Sequence, residues 1–202
     1  MKLLWKVRIS LACCLYTLRC LHIYILNADI GITEKILAGV SDSICMSIVS
    51  DKNFDISVFI IPAGKCLPLH DHPNMSVISK LIQGELQVRG FNMIKYDFEN
   101  KSTLAEMCIT SVKSSFEKPW LLTPSQSNIH EFKAISTCAI LDVLMPPYQE
   151  PERPCNYYAY ALPSDSNELK VGERTQLIHI DEPSWSLPYA VRYRGPRVVL
   201  SS

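Results

Sequence analysis

Short apolar runs separated by turn-forming residues set the pattern of most of this chain. Residues 45–49 and 54–61 are two such runs, joined by the turn residues 51–53, and residues 138–145 form a third that stops at a pair of prolines. Apolar runs of roughly four to eight residues, rich in β-branched side chains and bounded by turns, are typical of strands. The pattern therefore predicts an all-β domain rather than a helical bundle.

Two more strands are predicted at residues 77–83 and 85–90, on either side of Gly84. A glycine at that point permits a tight turn or a bulge because it has no Cβ. The sequence from 92 to 118 then becomes polar and charged, with one strand-like run at 107–112. We expect loop insertions in this region.

The chain before the predicted strands divides into a short helix and a segment of different character. The helix is predicted at residues 33–40, where Thr33 can cap the first turn. We therefore expect residues 1–43 to form a helical N-terminal appendage and residues 44–202 to form the main β domain.

The first 27 residues have the composition of a targeting segment or of a poorly ordered end. Their basic residues are not balanced by any acid before Asp29, and residues 9–18 form an apolar run. That run is too short to cross a bilayer, which needs about 20 apolar residues. We expect a cytoplasmic protein, or a mitochondrial or secreted one if this segment is a targeting signal.

Composition and charge limit the kind of partner. The 202 residues include 20 Lys plus Arg and 20 Asp plus Glu, so no overall field attracts nucleic acid or an anionic membrane. The eight cysteines contain no C-x-x-C pair and are too sparse for a disulfide scaffold. We expect a monomer in a reducing compartment that recognises a small substrate.

The candidate chemistry begins at His70 and His72. Successive side chains of an extended strand alternate between faces, so both imidazoles point the same way and Asp71 points the other way. Gly64 precedes the pair, a proline follows it, and the apolar run behind it closes on Gly84. Small β-barrels that bind a metal need such a frame, and a third ligand must then come from a later strand.

The spacing of these glycines and histidines resembles the first cupin motif. Four later segments, at residues 124–130, 141–148, 155–158 and 193–196, resemble the family of cysteamine dioxygenases and plant cysteine oxidases when taken in order with that motif. The resemblance covers roughly residues 45–198. It implies a cupin double-stranded β-helix, that is, a jelly-roll barrel, behind the short N-terminal helical segment.

The resemblance implies a metal site made of His70, His72 and His130. The glutamate that usually completes the cupin motif is absent, because Val77 stands at its position. Three neutral imidazoles suit zinc with an activated water, or iron(II) with open positions for substrate and oxygen. Their neutrality leaves the charge of the metal uncompensated, which favours an anionic ligand such as a thiolate.

The family resemblance implies iron(II) as the cofactor and a thiol dioxygenase as the function. Both atoms of O2 are then added to a thiol, which becomes a sulfinic acid. The implied substrates are a free aminothiol such as cysteamine and the N-terminal cysteine of a peptide or protein. Free cysteine is less favoured, because its carboxylate would need a dedicated arginine near the metal and none is placed beside the histidine motifs.

Four further residues are candidates for the pocket. Asp142 interrupts an apolar strand, so it must face solvent or be paired; if it faces inward, we expect it to accept a hydrogen bond from a metal-bound imidazole. The resemblance places Asp142 and Tyr148 in the pocket. It also matches Cys155 and Tyr157 to a Cys-x-Tyr pair that forms a thioether in some members, although an inert thiol on a loop is the alternative for Cys155.

Two other functions remain open from the residues alone. One is a non-enzymatic cupin that binds a metal or a small ligand for storage or regulation. The other is zinc-dependent hydrolysis, since the same three imidazoles also suit zinc.

Overall fold

Twelve strands and a short helix are found in the part of the chain that the structure describes. The structure is a computed structural model, and it describes residues 30–162, 168–183 and 188–195. In chain order the elements are α1 (Glu34–Gly39), β1 (Ile44–Ser50), β2 (Asp55–Ile61), β3 (Cys66–Asp71), β4 (Ser76–Gln83), β5 (Glu85–Asp97), β6 (Ser102–Ser114), β7 (Trp120–Leu122), β8 (Ile129–Ala134), β9 (Cys138–Met145), β10 (Tyr157–Tyr160), β11 (Arg174–Ile180) and β12 (Tyr189–Ala190).

The strands form two groups that face each other. The first, which we call the sheet, is open and has the order β12-β1-β2-β9-β4-β7. The second, which we call the ring, closes on itself in the order β10-β11-β6-β5-β8-β3. Neighbouring strands are antiparallel apart from the parallel contact between β1 and β12. This arrangement is a jelly roll, so the predicted fold class is confirmed.

Two apolar clusters show where the cores lie. The first, between the sheet and the ring, packs Ile140 and Leu81 of the sheet against Phe132 of the ring, and we call this space the inner core. The second cluster, which includes Phe91 and Ile129, has members from all six ring strands and none from the sheet. It therefore fills the ring itself.

The outer face of the sheet is covered by α1. Leu37 of the helix packs with Val58 and Leu141, whose side chains point away from the inner core. The Thr33 side chain accepts a hydrogen bond from the Ile36 amide at 3.3 Å, so the predicted helix and its cap are confirmed. No helix in the described ranges has the length and apolar character needed to cross a membrane.

The proposed division of the chain at residue 43 stays a prediction. The basic and apolar segment at residues 1–27 lies outside the described residues, and so does Pro196 at the end of the last family-like segment.

The strands predicted at 45–49, 54–61 and 138–145 are found as β1, β2 and β9.

The loop insertions expected between residues 92 and 118 are wrong. This region is instead a long antiparallel hairpin of β5 and β6, in which Phe91 pairs with Met107. Both side chains are fully buried inside the ring. Burial alternates only along β6 from residue 103 to residue 108, whereas none of residues 92–97 of β5 is buried, so a polar composition here is compatible with a hairpin.

Candidate metal centre

Adjacent positions on three ring strands carry the first part of the site. The pairing of β10, β3 and β8 places Tyr157 opposite His70, and His70 opposite His130. His72 follows the end of β3, two residues beyond His70, so it returns to the same face of the chain. The structure thus brings together the three histidines that the sequence singled out.

The three imidazoles converge on one point of the inner core. Their ring centroids are 4.6 Å apart for His70 and His130 and 5.0 Å apart for the two pairs that include His72. One nitrogen from each lies within 4.8 Å of the others, which makes this group a candidate metal site. His72 Nε2 is buried without a hydrogen-bond partner. A buried nitrogen of this kind calls for a ligand, and a divalent transition metal fits the three-imidazole donor set.

The ring nitrogens that face away from this point have partners within the protein. His70 Nδ1 lies 2.8 Å from the Pro68 carbonyl oxygen, and His72 Nδ1 lies 2.7 Å from the Tyr148 hydroxyl. His130 has a backbone hydrogen bond with Ser127. Partners of this type fix the ring orientation and leave the other nitrogen free to bind a metal.

Tyr148 sets the tautomer of His72. Its hydroxyl donates to the Asp71 carbonyl oxygen at 2.7 Å, so the same oxygen can accept a hydrogen bond only from a protonated His72 Nδ1. The Tyr148 ring also stacks on the His72 ring, with centroids 5.2 Å apart and planes 26° apart. Tyr148 therefore lies beside the site, where the family resemblance places a pocket hydroxyl.

Burial keeps the three imidazoles neutral. It lowers the pKa of His70, and it lowers the pKa of His72 and His130 well below the usual value for histidine, with repulsion between the rings as a further cause. The rings are therefore unprotonated near pH 7. A metal can bind them without first displacing protons.

Cys155 and Tyr157 lie at the edge of the site. The Tyr157 ring centroid is 6.3 Å from that of His70. The Cys155 thiol has hydrogen bonds with the hydroxyls of Tyr148 and Tyr157, and burial raises its pKa to about 11. The Cys-x-Tyr pair is thus close together and next to the histidines, while a thioether between them stays a prediction.

Glu182 is a site residue that sequence reasoning missed. It follows β11, whose Ile180 pairs with Tyr157, and its carboxylate forms a hydrogen bond with the Tyr157 hydroxyl. Only the pairing of β10 with β11 brings Glu182 to this place. No motif in the sequence carries that information.

Asp142 faces the inner core from the sheet. Along β9, Ile140 and Leu144 lie on the same side of the strand as Asp142. Ile140 packs with Phe132, whose ring stacks on His130 at a centroid distance of 4.7 Å, and Leu144 packs with Tyr148. Asp142 lies between these two contacts, so it faces the interior that holds the histidines.

The Asp142 carboxyl does not have the partner that we expected. The outward nitrogens of His70 and His72 are bound by Pro68 and Tyr148, and Asp142 Oδ1 is buried without a hydrogen-bond partner. Burial raises the pKa of Asp142 to about 7, against a smaller lowering by the Ser79 hydroxyl. A buried carboxyl oxygen of this kind is available to a bound molecule.

A jelly roll whose interior holds three convergent histidines defines a metal-binding cupin. The PCO_ADO family model matches residues 35–198 of this chain, so the chain belongs to that family. It is 37% identical over 110 residues to plant cysteine oxidase 1 of Arabidopsis thaliana, covering 52% of this chain and 37% of that protein.

Two relatives outside plants are similar over comparable lengths. A probable 2-aminoethanethiol dioxygenase of Dictyostelium discoideum is 34% identical over 116 residues, which covers 55% of this chain and 53% of that protein. The 2-aminoethanethiol dioxygenase of Mus musculus is 27% identical over 139 residues, which covers 58% of this chain and 54% of that protein. This chain thus spans about half the length of these two relatives, and less of the plant enzyme.

Proposed function

We propose that this chain is an iron(II)-dependent thiol dioxygenase. Its substrates are an aminothiol such as cysteamine and the N-terminal cysteine of a peptide or protein. The reaction adds one O2 to one thiol, RSH + O2 → RSO2H, so the sulfur is oxidised and both oxygen atoms remain on it. The observation that carries this proposal is the cluster of His70, His72 and His130 in a chain of the PCO_ADO family.

The three histidines would hold the iron. Bound by these nitrogens, iron(II) supplies the redox chemistry that couples O2 to a thiol. The imidazoles are neutral, so nothing in the ligand set offsets the charge of the metal. A thiol substrate offsets that charge when it loses its proton, and the site therefore favours thiols over alcohols or amines.

Asp142 explains a preference for thiols that carry an amine. Cysteamine and an N-terminal cysteine share an amino group two carbons from the sulfur. The buried Oδ1 of Asp142 faces the interior that would receive this group and has no partner within the protein. A carboxylate accepts a hydrogen bond from an ammonium group with about twice the strength of a neutral pair.

The charges around the histidines disfavour free cysteine. The groups that act electrostatically on the three imidazoles are the other histidines and Asp71, with no lysine or arginine among those described. Arg89 lies on the opposite face of β5 and pairs with Glu131 at 3.1 Å. A substrate carboxylate would therefore enter without a cation, whereas an N-terminal cysteine in a peptide has an amide at that position.

The test is a comparison of four substrates with iron-loaded protein under air. Cysteamine and a Cys-initiated peptide should give products two oxygen atoms heavier, with matching O2 uptake. The same peptide with an acetylated N-terminus is the matched control, and free cysteine is the fourth substrate. Oxidation of free cysteine alone would contradict the proposed substrates.

Elemental analysis of protein purified without oxygen tests the metal. We expect one iron per chain after iron loading, and thiol oxidation in proportion to iron. If zinc were the only metal retained and no thiol were oxidised, the site would be that of a hydrolase or a storage protein instead.

A further inference from the structure

Asp71 stands between two of the site histidines but its side chain points to the other side of the strand. It shares its face of β3 with Leu69, which packs inside the ring. The residue is 3% exposed. Beyond it lies a cavity of about 360 Å³ that is lined by Tyr96, Phe98 and His179 as well as by Asp71 itself. The carboxylate therefore does not enter the space where the histidines converge.

Four hydrogen bonds converge on this carboxylate. Oδ1 accepts from the Asn156 amide at 3.0 Å and from Asn156 Nδ2 at 3.1 Å, and Oδ2 accepts from Asn156 Nδ2 at 3.1 Å and from the Tyr158 hydroxyl at 2.8 Å. Hydrogen bonds to a charged acceptor in a buried place are stronger than neutral ones. Asp71 thus fixes the start of β10 on both sides of Tyr157.

The main chain of Asp71 also forms hydrogen bonds to residues near the histidines. Its amide donates to the Asn156 carbonyl oxygen at 3.0 Å, and its carbonyl oxygen accepts from Tyr148 at 2.7 Å. In contrast, the register of β10 with β3 consists of a single residue pair, Tyr157 with His70. Ladder pairing alone therefore supplies little of the connection between these two strands.

We propose that Asp71 is a positioning residue for the metal centre. Asn156 stands between Cys155 and Tyr157, so an Asn156 held by Asp71 fixes both side chains against the histidines. These two side chains lie at the edge of the histidine cluster, where the proposed thiol would bind. This inference rests on the proposed function, and it assigns to Asp71 the alignment of the bound thiol rather than its binding.

The first test is Asp71→Asn in iron-loaded protein. Iron per chain should stay unchanged, because the outward nitrogens of the three histidines have other partners. Turnover per bound iron should fall roughly 10- to 100-fold, since a small misplacement of a bound substrate has effects of that size. KM should change less, because the groups proposed to bind the substrate, the three histidines through a metal and Asp142, are unaltered. A merely structural role would lower iron content and leave turnover per iron unchanged, which would overturn the proposal.

A rescue variant and a matched control sharpen this test. Asp71→Asn combined with Asn156→Asp exchanges the carboxylate and the amide within the pair, and it should restore most of the turnover per iron. Asp42→Asn makes the same chemical change at an exposed ion pair with Lys65 and should have no effect. If Asp71→Asn yields no folded protein, Tyr158→Phe removes only one of the donors and should lower turnover per iron in the same direction by a smaller factor. Unchanged turnover in that variant would count against the proposal.

Amide hydrogen exchange at residue 156 provides a measurement that needs no activity. Its N–H bonds directly to the Asp71 carboxylate, so exchange should become roughly tenfold faster in Asp71→Asn and return toward the original rate in the exchanged pair. Unchanged exchange would overturn the inference. If the unaltered protein oxidised no thiol, the proposed function would fail, and this exchange rate would still decide whether Asp71 holds the segment.

Discussion

The ring and the sheet both bury polar side chains in the inner core, but these side chains differ in their hydrogen-bond partners. On the ring side, the outward nitrogens of His70 and His72 are bonded to Pro68 and Tyr148. On the sheet side, a single carboxyl, Asp142, keeps an oxygen without a partner. Burial lowers the pKa of the histidines and raises that of Asp142, so both sides are driven toward their neutral forms.

This difference separates two tasks. The histidines are held in place by the protein and present free nitrogen atoms, which is the arrangement that a resident metal ion needs. Asp142 interacts with the Ser79 hydroxyl, but its Oδ1 has no partner and is suited to a group that arrives and leaves with the substrate. Under the proposed function, the ring side would provide the metal site, and the sheet side would provide a contact for the substrate.

The largest expected effect is on the metal. Replacing His130 with alanine removes one of three ligands, so iron affinity should fall more than 100-fold, beyond the 10- to 100-fold effect of losing a supporting hydrogen bond. O2 uptake with cysteamine should disappear with the iron. The matched control is His179→Ala, which removes a histidine on β11 that lies outside the cluster. Normal iron content in His130→Ala would show that this residue is not a ligand.

Asp142→Asn should separate the two sides of the core. Iron content should stay normal, while kcat/KM for cysteamine should fall on the order of 10²-fold, as expected for a lost charge-assisted hydrogen bond to the substrate amine. Asp55→Asn, at the start of β2, is the control for the same chemical change. If Asp142→Asn lost iron together with activity, Asp142 would be needed for metal binding. That result would contradict the assignment of metal binding to the histidines and of substrate contact to Asp142.

The sequence contained enough to predict the fold and the cluster of three histidines. The strands that became β2 and β9 are dense in β-branched and apolar residues, and the H-x-H spacing alone places His70 and His72 on one face. These features are local, because alternation and propensity act within a few residues. His130 came from the order of several motifs, which no single motif could supply.

The parts that the sequence did not predict depend on contacts between distant strands. Most charged residues of β5 and β6 are at least partly exposed while other positions of these strands fill the ring, and the exception, Arg89, is buried against Glu131. Glu182 reaches Tyr157 through the pairing of β10 with β11, and Asp71 reaches Asn156 across 85 positions of the chain. Patterns of hydrophobic residues record burial, but they do not record which buried faces meet.

The comparison also predicts opposite pH effects on the metal-free protein. The raised pKa of Asp142 means that its contribution to stability is fully present below the unfolded pKa of about 3.9 and is lost as pH rises through about 7. Between pH 5 and pH 8 the original protein should therefore lose stability relative to Asp142→Asn by on the order of 2 kcal/mol. The histidines are present in both proteins, so their own contribution, which decreases as pH falls below about 6.5, cancels in the difference.

Urea unfolding of both proteins at the two pH values measures this difference. Parallel changes in the free energy of unfolding would mean that Asp142 is ionised in the folded protein at both pH 5 and pH 8, as it is in the unfolded chain. The carboxyl would then have a partner or solvent, and the contrast between the sheet side and the ring side would disappear.

The smallest expected effect is on iron affinity when the Tyr148 hydroxyl, which lies beside His72 Nδ1, is removed. Tyr148→Phe keeps the ring stacked on His72 and removes the hydroxyl that accepts its Nδ1 proton, together with that hydroxyl's bonds to the Asp71 carbonyl oxygen and the Cys155 thiol. Loss of one such supporting bond should weaken iron binding roughly tenfold. Tyr160→Phe removes a hydroxyl that donates to Glu131 and serves as the matched control with unchanged affinity. Equal iron affinity in Tyr148→Phe and the original protein would show that packing alone orients His72. His72 on the ring side would then need no hydrogen-bond partner at Nδ1, and the contrast with Asp142 on the sheet side would be lost.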